Sequence, residues 1–571
     1  MNAKRNARAL ALVAVASLIV SACTIEGPAS TKPTAPAPTT RFLPSQPPTP
    51  TDGAHGGGDV TFGAESWPKC LNPITACADN AWAYYTVLEH VLPRAMQLDP
   101  KGNYVPSPLL VEAPSLNTGD LSQSPFTVTY KIRPDAVWDD GSPITSEDFD
   151  FTWHAILLTP GAIRTAGYRQ IEYIDATDPK VAVIGFKTPY ADWQDLFGGA
   201  FGFILKESAF SGQVGLFSSF RFAMLESIPF SGGPFVLKSW TKEKAVLVRN
   251  DSYFGSRANF DSVTFIPVGT TGLDELGALA MRQVLATYLE PAAVRLLDQQ
   301  AGLFVKAIGA RGTEYDALRF DLSRPPLDDP KVREALMYAI DRQAVIDDLI
   351  KDVDPEAKVL NCGFVALPRI GPWCQTTPFA RFTYDPKKAT SILESDGYDC
   401  SARPCTRNGE PLRIGYATIE SSFLRTDTRD LLIHGALEAG FDLKASTSSL
   451  PSAIYELPVR TSPDPSITNL FACDAIPTES NGENGLNLSH WCDPEADRLM
   501  KESDGEQAPL VRAEVLNEVY ALEAEDFIGL PLYVVPVVSA WQYQIAGPIA
   551  DFSSSVYGLF FNMNEWSVAT A

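Results

Sequence analysis

Residues Phe126–His154 read FTVTYKIRPDAVWDDGSPITSEDFDFTWH, and the fold turns on how that string is parsed. Phe126, Val128, Tyr130 and Ile132 alternate with Thr127, Thr129 and Lys131, the period of two expected of a half-buried strand. Asp139-Asp140-Gly141 marks a tight turn, since glycine accepts the positive φ that such a reversal needs. Thr145 followed by Asp148 has the spacing of a capping box. Phe149, Trp153, Ile156 and Leu157 then fall on one face of a helix. The stretch is a packed corner of strand, turn and helix, which points to an α/β architecture.

Toward the N-terminus, Lys4, Arg5 and Arg8 precede an apolar run, Ala9–Val20, too short for a mature membrane span. That layout is an export signal over residues 1–22. Val20-Ser21-Ala22-Cys23 matches a bacterial lipobox, in which small residues precede a cysteine that becomes lipidated and N-terminal. An ordinary cleaved signal with an incidental cysteine is the plainer alternative. Residues 23–58 are rich in Pro, Thr, Ala and Gly, a composition that buries no core and behaves as an extended tether. The expectation is an exported monomer on the outer face of the cytoplasmic membrane, held there through lipid alone. About 510 residues remain beyond the tether, too many for one ordinary core and enough for two lobes. The formal net charge of −23 argues against a nucleic-acid surface.

Of nine cysteines, eight remain once Cys23 is set aside. They fall into sequence-local couples: Cys70 with Cys77, Cys362 with Cys374, Cys400 with Cys405, and Cys473 with Cys492. Export favours disulfides. Eight cysteines permit 105 pairings, and low loop-closure cost favours nearest neighbours. A metal site has little behind it, because there is no Cys-x-x-Cys and the five histidines show no ligand spacing. Neither Gly-x-Ser-x-Gly, His-Glu-x-x-His nor a P-loop occurs. The Ser-x-x-Lys at Ser239–Lys242 lacks the partner motifs of penicillin-interacting enzymes and reads as chance. The chain is expected to be neither an enzyme nor dependent on a cofactor or metal.

Further landmarks lie along the chain on either side of that stretch. Strand Asp59–Ala64 leads to a loop with Trp67, Asn72 and Pro73, then a helix over Asn80–Val91 and a turn at Asp99–Asn103. Ser231-Gly232-Gly233-Pro234-Phe235 opens two strands around a turn at Lys242–Lys244 that close on Asn250 and Tyr253-Phe254-Gly255. Asp329-Pro330 starts a helix carrying Val332, Arg333, Ala335 and Ala339, with Asp341 capping the next. Asp385-Pro386 and Asp493-Pro494 start others, and the apolar strand Ile528–Val537 comes late. With Phe126–His154 as its signature, this order closely resembles the family 5 extracellular solute-binding proteins, the capture subunits of peptide, nickel and related ABC importers. Arg333 lies in a segment of that resemblance, and on such a helix an Arg more often pairs with a carboxylate than holds a ligand.

The resemblance implies an α/β fold of the class II periplasmic-binding-protein type, with two lobes, a cleft and two hinge crossings. The implied boundaries are 59–305 with 541–571 for the first lobe and 306–540 for the second, with crossings near Leu303–Tyr315 and Leu532–Trp541. It implies a lipid-anchored receptor that passes an oligopeptide or similar small solute to permease and ATPase subunits. Loops that the family places between the lobes nominate Trp67, Phe364, Trp373, Asp464, Asn481, Asn484, Asn487 and Trp491 as ligand-binding residues. One departure stands out. Peptide binders of the family carry Trp and Asp shortly before an Asp-Pro, the acid pairing with the peptide ammonium. Here Asp464-Pro465 is preceded by Pro458 and Thr461 at those places, which removes the obvious partner for a buried amine. Glu456, Asp464, Asp474 and Glu479 are candidate substitutes. The rival expectations are a non-transporting envelope scaffold or regulator on the same fold and, more remotely, an exported hydrolase.

Overall fold

A computed structural model of the chain describes residues 57–568 apart from 65–66, 79–82, 100, 213–214, 270–271, 292, 294–302, 309–313, 365–371, 420–421, 448, 461–465, 482–483 and 550–556. Cys23, the tether to residue 56, Thr461 and Asp464 therefore lie outside the described residues.

The first half contributes β1 (Asp59–Ala64), β2 (Leu121–Gln123), β3 (Phe126–Lys131), α1 (Ser146–Leu158), β4 (Ile171–Asp178), β5 (Val181–Phe186), β6 (Phe235–Trp240), β7 (Ala245–Arg249) and β8 (Ser262–Pro267). They form two four-stranded sheets, ordered β1-β8-β7-β6 and β2-β3-β5-β4. Only β1 with β8 is parallel within them. In β3, Phe126, Val128 and Tyr130 are buried while their alternates are half-buried, as the period of two requires. Thr145 and Asp148 close the capping box of α1, with Asp148 accepting from the Thr145 N–H at 2.9 Å. Asp148 also accepts from Trp138 Nε1 at 3.2 Å and from the Glu207 N–H at 2.8 Å, tying turn, helix and a distant loop to one carboxylate. The buried side of α1 is formed by Asp148, Phe149, Phe151, Thr152 and Ala155. Trp153, Ile156 and Leu157, expected to share the core face with Phe149, are only half-buried, while Phe151 is buried against Phe210, Phe217 and Phe220.

The second half contributes β9 (Ala286–Leu289), β10 (Leu303–Ile308), β11 (Glu314–Phe320), α2 (Pro330–Ala339), α3 (Pro386–Ser395), β12 (Arg413–Ala417), α4 (Phe423–Glu438), β13 (Asp442–Ala445), β14 (Ser452–Arg460), α5 (Pro494–Gly505), α6 (Pro509–Glu525), β15 (Gly529–Val534) and β16 (Val537–Gln542). A five-stranded sheet runs β13-β12-β14-β11-β15. Three of its helices start on an Asp cap followed by Pro: Asp329 accepts from Lys331 N–H at 2.9 Å, Asp385 from Lys388 N–H at 3.0 Å and Asp493 from Ala496 N–H at 2.7 Å. Each satisfies a donor that the first helical turn leaves without a partner, and proline at the next position has none to lose.

Two large cores result, hence two lobes. One gathers residues from Val60 to Ala286 with Trp541–Trp566; the other gathers Tyr315–Val534. The C-terminal return is anchored by Phe560 stacked on Phe62 at 5.3 Å and by the edge of Trp566 at 5.4 Å. Between the lobes lies a three-stranded linker sheet, β9-β16-β10. It carries a small core of its own, with Val538 and Ala540 against Val268, Leu279 and Leu289. The chain enters the second lobe after β10 and leaves it before β16. These strands pair antiparallel, as do β11 and β15, so the two crossings lie side by side. The boundaries read at 305/306 and 540/541 fall inside β10 and β16.

The cysteines join their sequence neighbours. Cys70 is bonded to Cys77 in the first lobe, at a Cα–Cα separation of 5.4 Å. In the second lobe Cys362 is bonded to Cys374 at 5.5 Å, Cys400 to Cys405 at 4.3 Å and Cys473 to Cys492 at 4.7 Å. Each closes a short loop within one lobe, so none of the four joins one lobe to the other.

Candidate functional site

The candidate site is the seam where the lobes meet. The first lobe presents the segment after α1, around Gly161–Arg169, and the segment after β5, around Tyr190–Asp195. The second presents Asn469, the Cys473–Cys492 loop, the end of α5 and the start of α6. Directional polar contacts span the seam. Gly161 N–H donates to Asn484 Oδ1 at 2.8 Å, Ala166 N–H to Asn469 Oδ1 at 3.1 Å, and Ala191 N–H to the Asp504 carbonyl at 2.7 Å. Arg169 pairs with Asp474 at 3.0 Å. Deepest among them, Arg512 grips both oxygens of Asp192, each side chain only 5% exposed. A fork-on-carboxylate pair of this kind sets direction as well as strength.

Asp504 lies 3.8 Å from the same guanidinium and accepts from Ser466 Oγ at 2.8 Å and Thr468 Oγ1 at 2.7 Å. Burial, and then the like charge of Asp192, push its carboxyl up to about 6. A cavity of about 60 Å³ opens beside these contacts, bounded by Arg164, Tyr168, Tyr190 and Asp195 from the first lobe and Asn469 from the second. Nearer the linker, Glu290 follows β9 and lies against Ser422, Phe423 and Leu424 at the start of α4. Arg425, one turn on, pairs with Glu314 at 2.7 Å and Asp316 at 3.0 Å, both on β11 where the chain enters the second lobe.

The structure divides the residues nominated from sequence. Asn484 reaches the other lobe, as described. Trp373, beside the disulfide-bonded Cys374, is half-buried with its ring 5.9 Å from the Arg512 guanidinium. Asn481 shapes the loop: its Oδ1 accepts from Thr478 N–H at 2.9 Å and Asn484 N–H at 3.1 Å, so it aims Asn484. Gly485 completes that aim, at φ +109° and too close to the Ala475 carbonyl for any Cβ. Phe364, Asn487 and Trp491 are corrected to core roles. Phe364 packs edge-on against Phe471 at 5.2 Å, Asn487 donates to the carbonyls of Ala472 and Trp491, and Trp491 donates to Asp526 at 2.7 Å. Trp67 stays within the first lobe, donating to the Thr241 carbonyl at 3.0 Å and lying parallel to Trp240. Cys70 and Cys77 in that lobe, and Cys400 with Cys405 in the other, brace loops that contribute none of the seam residues named above. Arg333 donates to backbone carbonyls, Leu327 at 2.9 Å and Asp526 at 3.1 Å, in place of the expected carboxylate.

Sequence reasoning missed Asp192, Arg512 and Asn469. A signal existed for two of them. Arg512 is a cation on the helix face that also buries Ala513, Val515, Leu516 and Val519, and Asp192 is an acid set between Tyr190 and Trp193. A charge placed among apolar neighbours demands a partner.

Residues 105–414, just over half of the chain, match the model of the bacterial extracellular solute-binding proteins, family 5 Middle. Over 250 residues the chain is 30% identical to a probable monoacyl phosphatidylinositol tetramannoside-binding protein, LpqW, of Mycobacterium tuberculosis, covering 43% of this chain and 36% of that one. Over 301 residues it is 29% identical to the oligopeptide-binding protein OppA of Mycobacterium bovis, covering 51% and 48%. The chain thus spans between a third and a half of the length of these curated relatives. In fold it is similar to the oligopeptide-binding protein AppA of Bacillus subtilis, solved with a nonapeptide: TM-score 0.78, 18% identity, 90% of this chain and 100% of that one.

Proposed function

We propose a capture role from one premise: the chain belongs to the bacterial extracellular solute-binding proteins, family 5, a solute-binding family and not a family of enzymes. Its role is to bind a substrate. The finer reading is that an oligopeptide or similar small solute is held between the lobes and handed to the permease of an ABC importer, whose ATPase subunits supply the energy. Export by residues 1–22 and a lipid on Cys23 would keep the receptor at the outer face of the membrane, as a monomer.

The observation that carries the reading is the seam. It is crossed by directional polar contacts, from lobes joined through paired strands. A clamp so built closes on whatever binds the closed form better than the open one. The test is solution scattering and native mass spectrometry on residues 59–571 with a defined peptide pool. Compaction together with a retained peptide mass is expected. No compaction and no retained mass with any peptide would overturn the peptide reading. A Cys23→Ser chain should move from the membrane fraction to the medium.

A second reading has a specific observation behind it. Thr461 stands where peptide binders carry an amine-pairing acid, and one relative is named for binding a mannosylated phosphatidylinositol. In that reading the same fold serves the envelope without transport. Growth on a peptide as nitrogen source that depends on this chain would exclude it.

A further inference from the structure

The first lobe holds a second cavity, about 220 Å³, away from the seam, between the Ser231–Pro234 turn, residues Glu89–Leu98 and the C-terminal segment Tyr557–Glu565. Its walls carry polar groups that the protein leaves unused. Gln97 and Tyr253 line it, and among the described residues neither the Gln97 amide nor the Tyr253 hydroxyl has a hydrogen-bond partner. Glu89 gives one carboxylate oxygen to Arg94 and keeps the other. Behind the same wall His90 is buried, and among the described residues its Nε2 has no hydrogen-bond partner.

The cavity floor is electrically balanced. Arg94 is spent on Glu89 and on the Gly199 carbonyl at 2.7 Å, and its guanidinium is sandwiched between Phe203 and Tyr557 at 4.7 and 4.8 Å. Among the described lining residues, a phosphate or carboxylate would find no unpaired cation; the Glu89 carboxylate is already paired with Arg94, and the other carboxylate of the lining, Glu565, is exposed. Burial, and then Glu89, push the Tyr253 phenol up to about 12, so it stays a hydroxyl. Apart from exposed Glu565, what remains is a set of neutral donors and acceptors next to the aromatic rings of Tyr253 and Phe254.

We propose that this cavity binds a small neutral polyhydroxy compound of monosaccharide size, through Gln97, Tyr253 and the free oxygen of Glu89, at a site separate from the interlobe seam. Ring hydroxyls supply both donors and acceptors, which this mixed set needs, and the C–H face of a sugar packs on an aromatic ring. The compound could be a free sugar or the terminal unit of a larger glycan, since both present the same hydroxyls.

The test is saturation-transfer NMR and calorimetry on the full folded chain with D-glucose, D-mannose, D-galactose and myo-inositol, alongside their available methyl glycosides. At least one probe should bind in the millimolar range or tighter. Tyr253→Phe and Gln97→Leu should each weaken it about tenfold or more, with unchanged circular dichroism and thermal midpoint. A methyl glycoside binding better than its free sugar would identify a terminal glycan unit as the source; the reverse would identify the free sugar. Saturating peptide should leave sugar binding in place, so failure here is separable from failure of the seam reading. The proposal is overturned if no probe binds, if both variants bind like the parent, if peptide displaces the sugar, or if spermidine binds where sugars do not.

Discussion

Arg512 and Asp192 are 320 residues apart in the chain and meet only when the lobes do. Removing one partner of a buried pair leaves an uncompensated charge, a loss of roughly 3–5 kcal/mol where the site stays closed. Arg512→Met should therefore weaken capture of the bound solute at least tenfold by calorimetry, with little change in the thermal midpoint of the empty protein. Asp504, held by Ser466 and Thr468, does not need Arg512 to fold. Asp192→Asn, which keeps one acceptor, should be milder. Glu523 behaves differently, because burial in the second lobe pushes its carboxyl up to about 8, and among the described residues only the Phe364 N–H supports the anion. Glu456, bonded to the Tyr416 hydroxyl at 2.8 Å, is likewise raised to about 8 by burial and by Asp316. A folded-state pKa above the unfolded one means that the native form holds the proton longer, so stability falls as pH rises between the two values. The thermal midpoint should drop from pH 5 to pH 8 and level off above, and Glu523→Gln should flatten part of that slope. A midpoint that rises across this window would refute the assignment.

At the scale of elements, two devices position the seam. The Cys473–Cys492 disulfide closes a 19-residue separation that carries both Asp474 and Asn484. In the chain-entropy picture its loss removes about 3 kcal/mol. The Cys473→Ser, Cys492→Ser double variant should unfold at lower denaturant and also lose affinity, because Asn484 is no longer aimed at Gly161. Removing the pair Cys400 and Cys405, which closes a separation of 5 in a loop that supplies none of the seam residues named above, should lower stability and leave affinity unchanged. The other device is the corner around Asp148. Losing a helix cap costs about 1 kcal/mol, the expectation for Thr145→Ala measured by urea unfolding. Asp148→Ala should cost more, since it strands the Trp138 and Glu207 donors as well. These elements were legible in the sequence: strand alternation, Asp-Pro helix starts and neighbouring cysteines are local signals, and local backbone chemistry realises them. The face that α1 buries was not legible, because Phe151 is covered by Phe210, Phe217 and Phe220 from a segment some sixty residues on, and not by anything in the helix.

For the whole molecule, the linker sheet is the consequential feature. In the proposed capture role, two crossing strands paired edge to edge would let the lobes rotate while keeping their backbone bonds. A ligand that bridges the seam binds the closed form alone and should raise stability by mass action, about 2.7 kcal/mol at a hundredfold excess over Kd. A thermal midpoint insensitive to any ligand that compacts the protein would contradict this clamp. The amino-acid order by itself determined the α/β elements, their succession, the neighbour cysteine couples and the family, because each rests on contacts between residues close in sequence or on a collinear pattern. It nominated Trp373 and Asn484, which the structure sets at the seam, together with Phe364, Asn487 and Trp491, which are core. Aromatic and amide side chains in a loop look alike until burial separates them. Only the tertiary structure decided that Asp192 meets Arg512, that Asn469 caps Ala166, and that a polar cavity lies behind Glu89. Those groups come from distant segments, and nothing local records which of them will share a space when two separately folded cores are brought together.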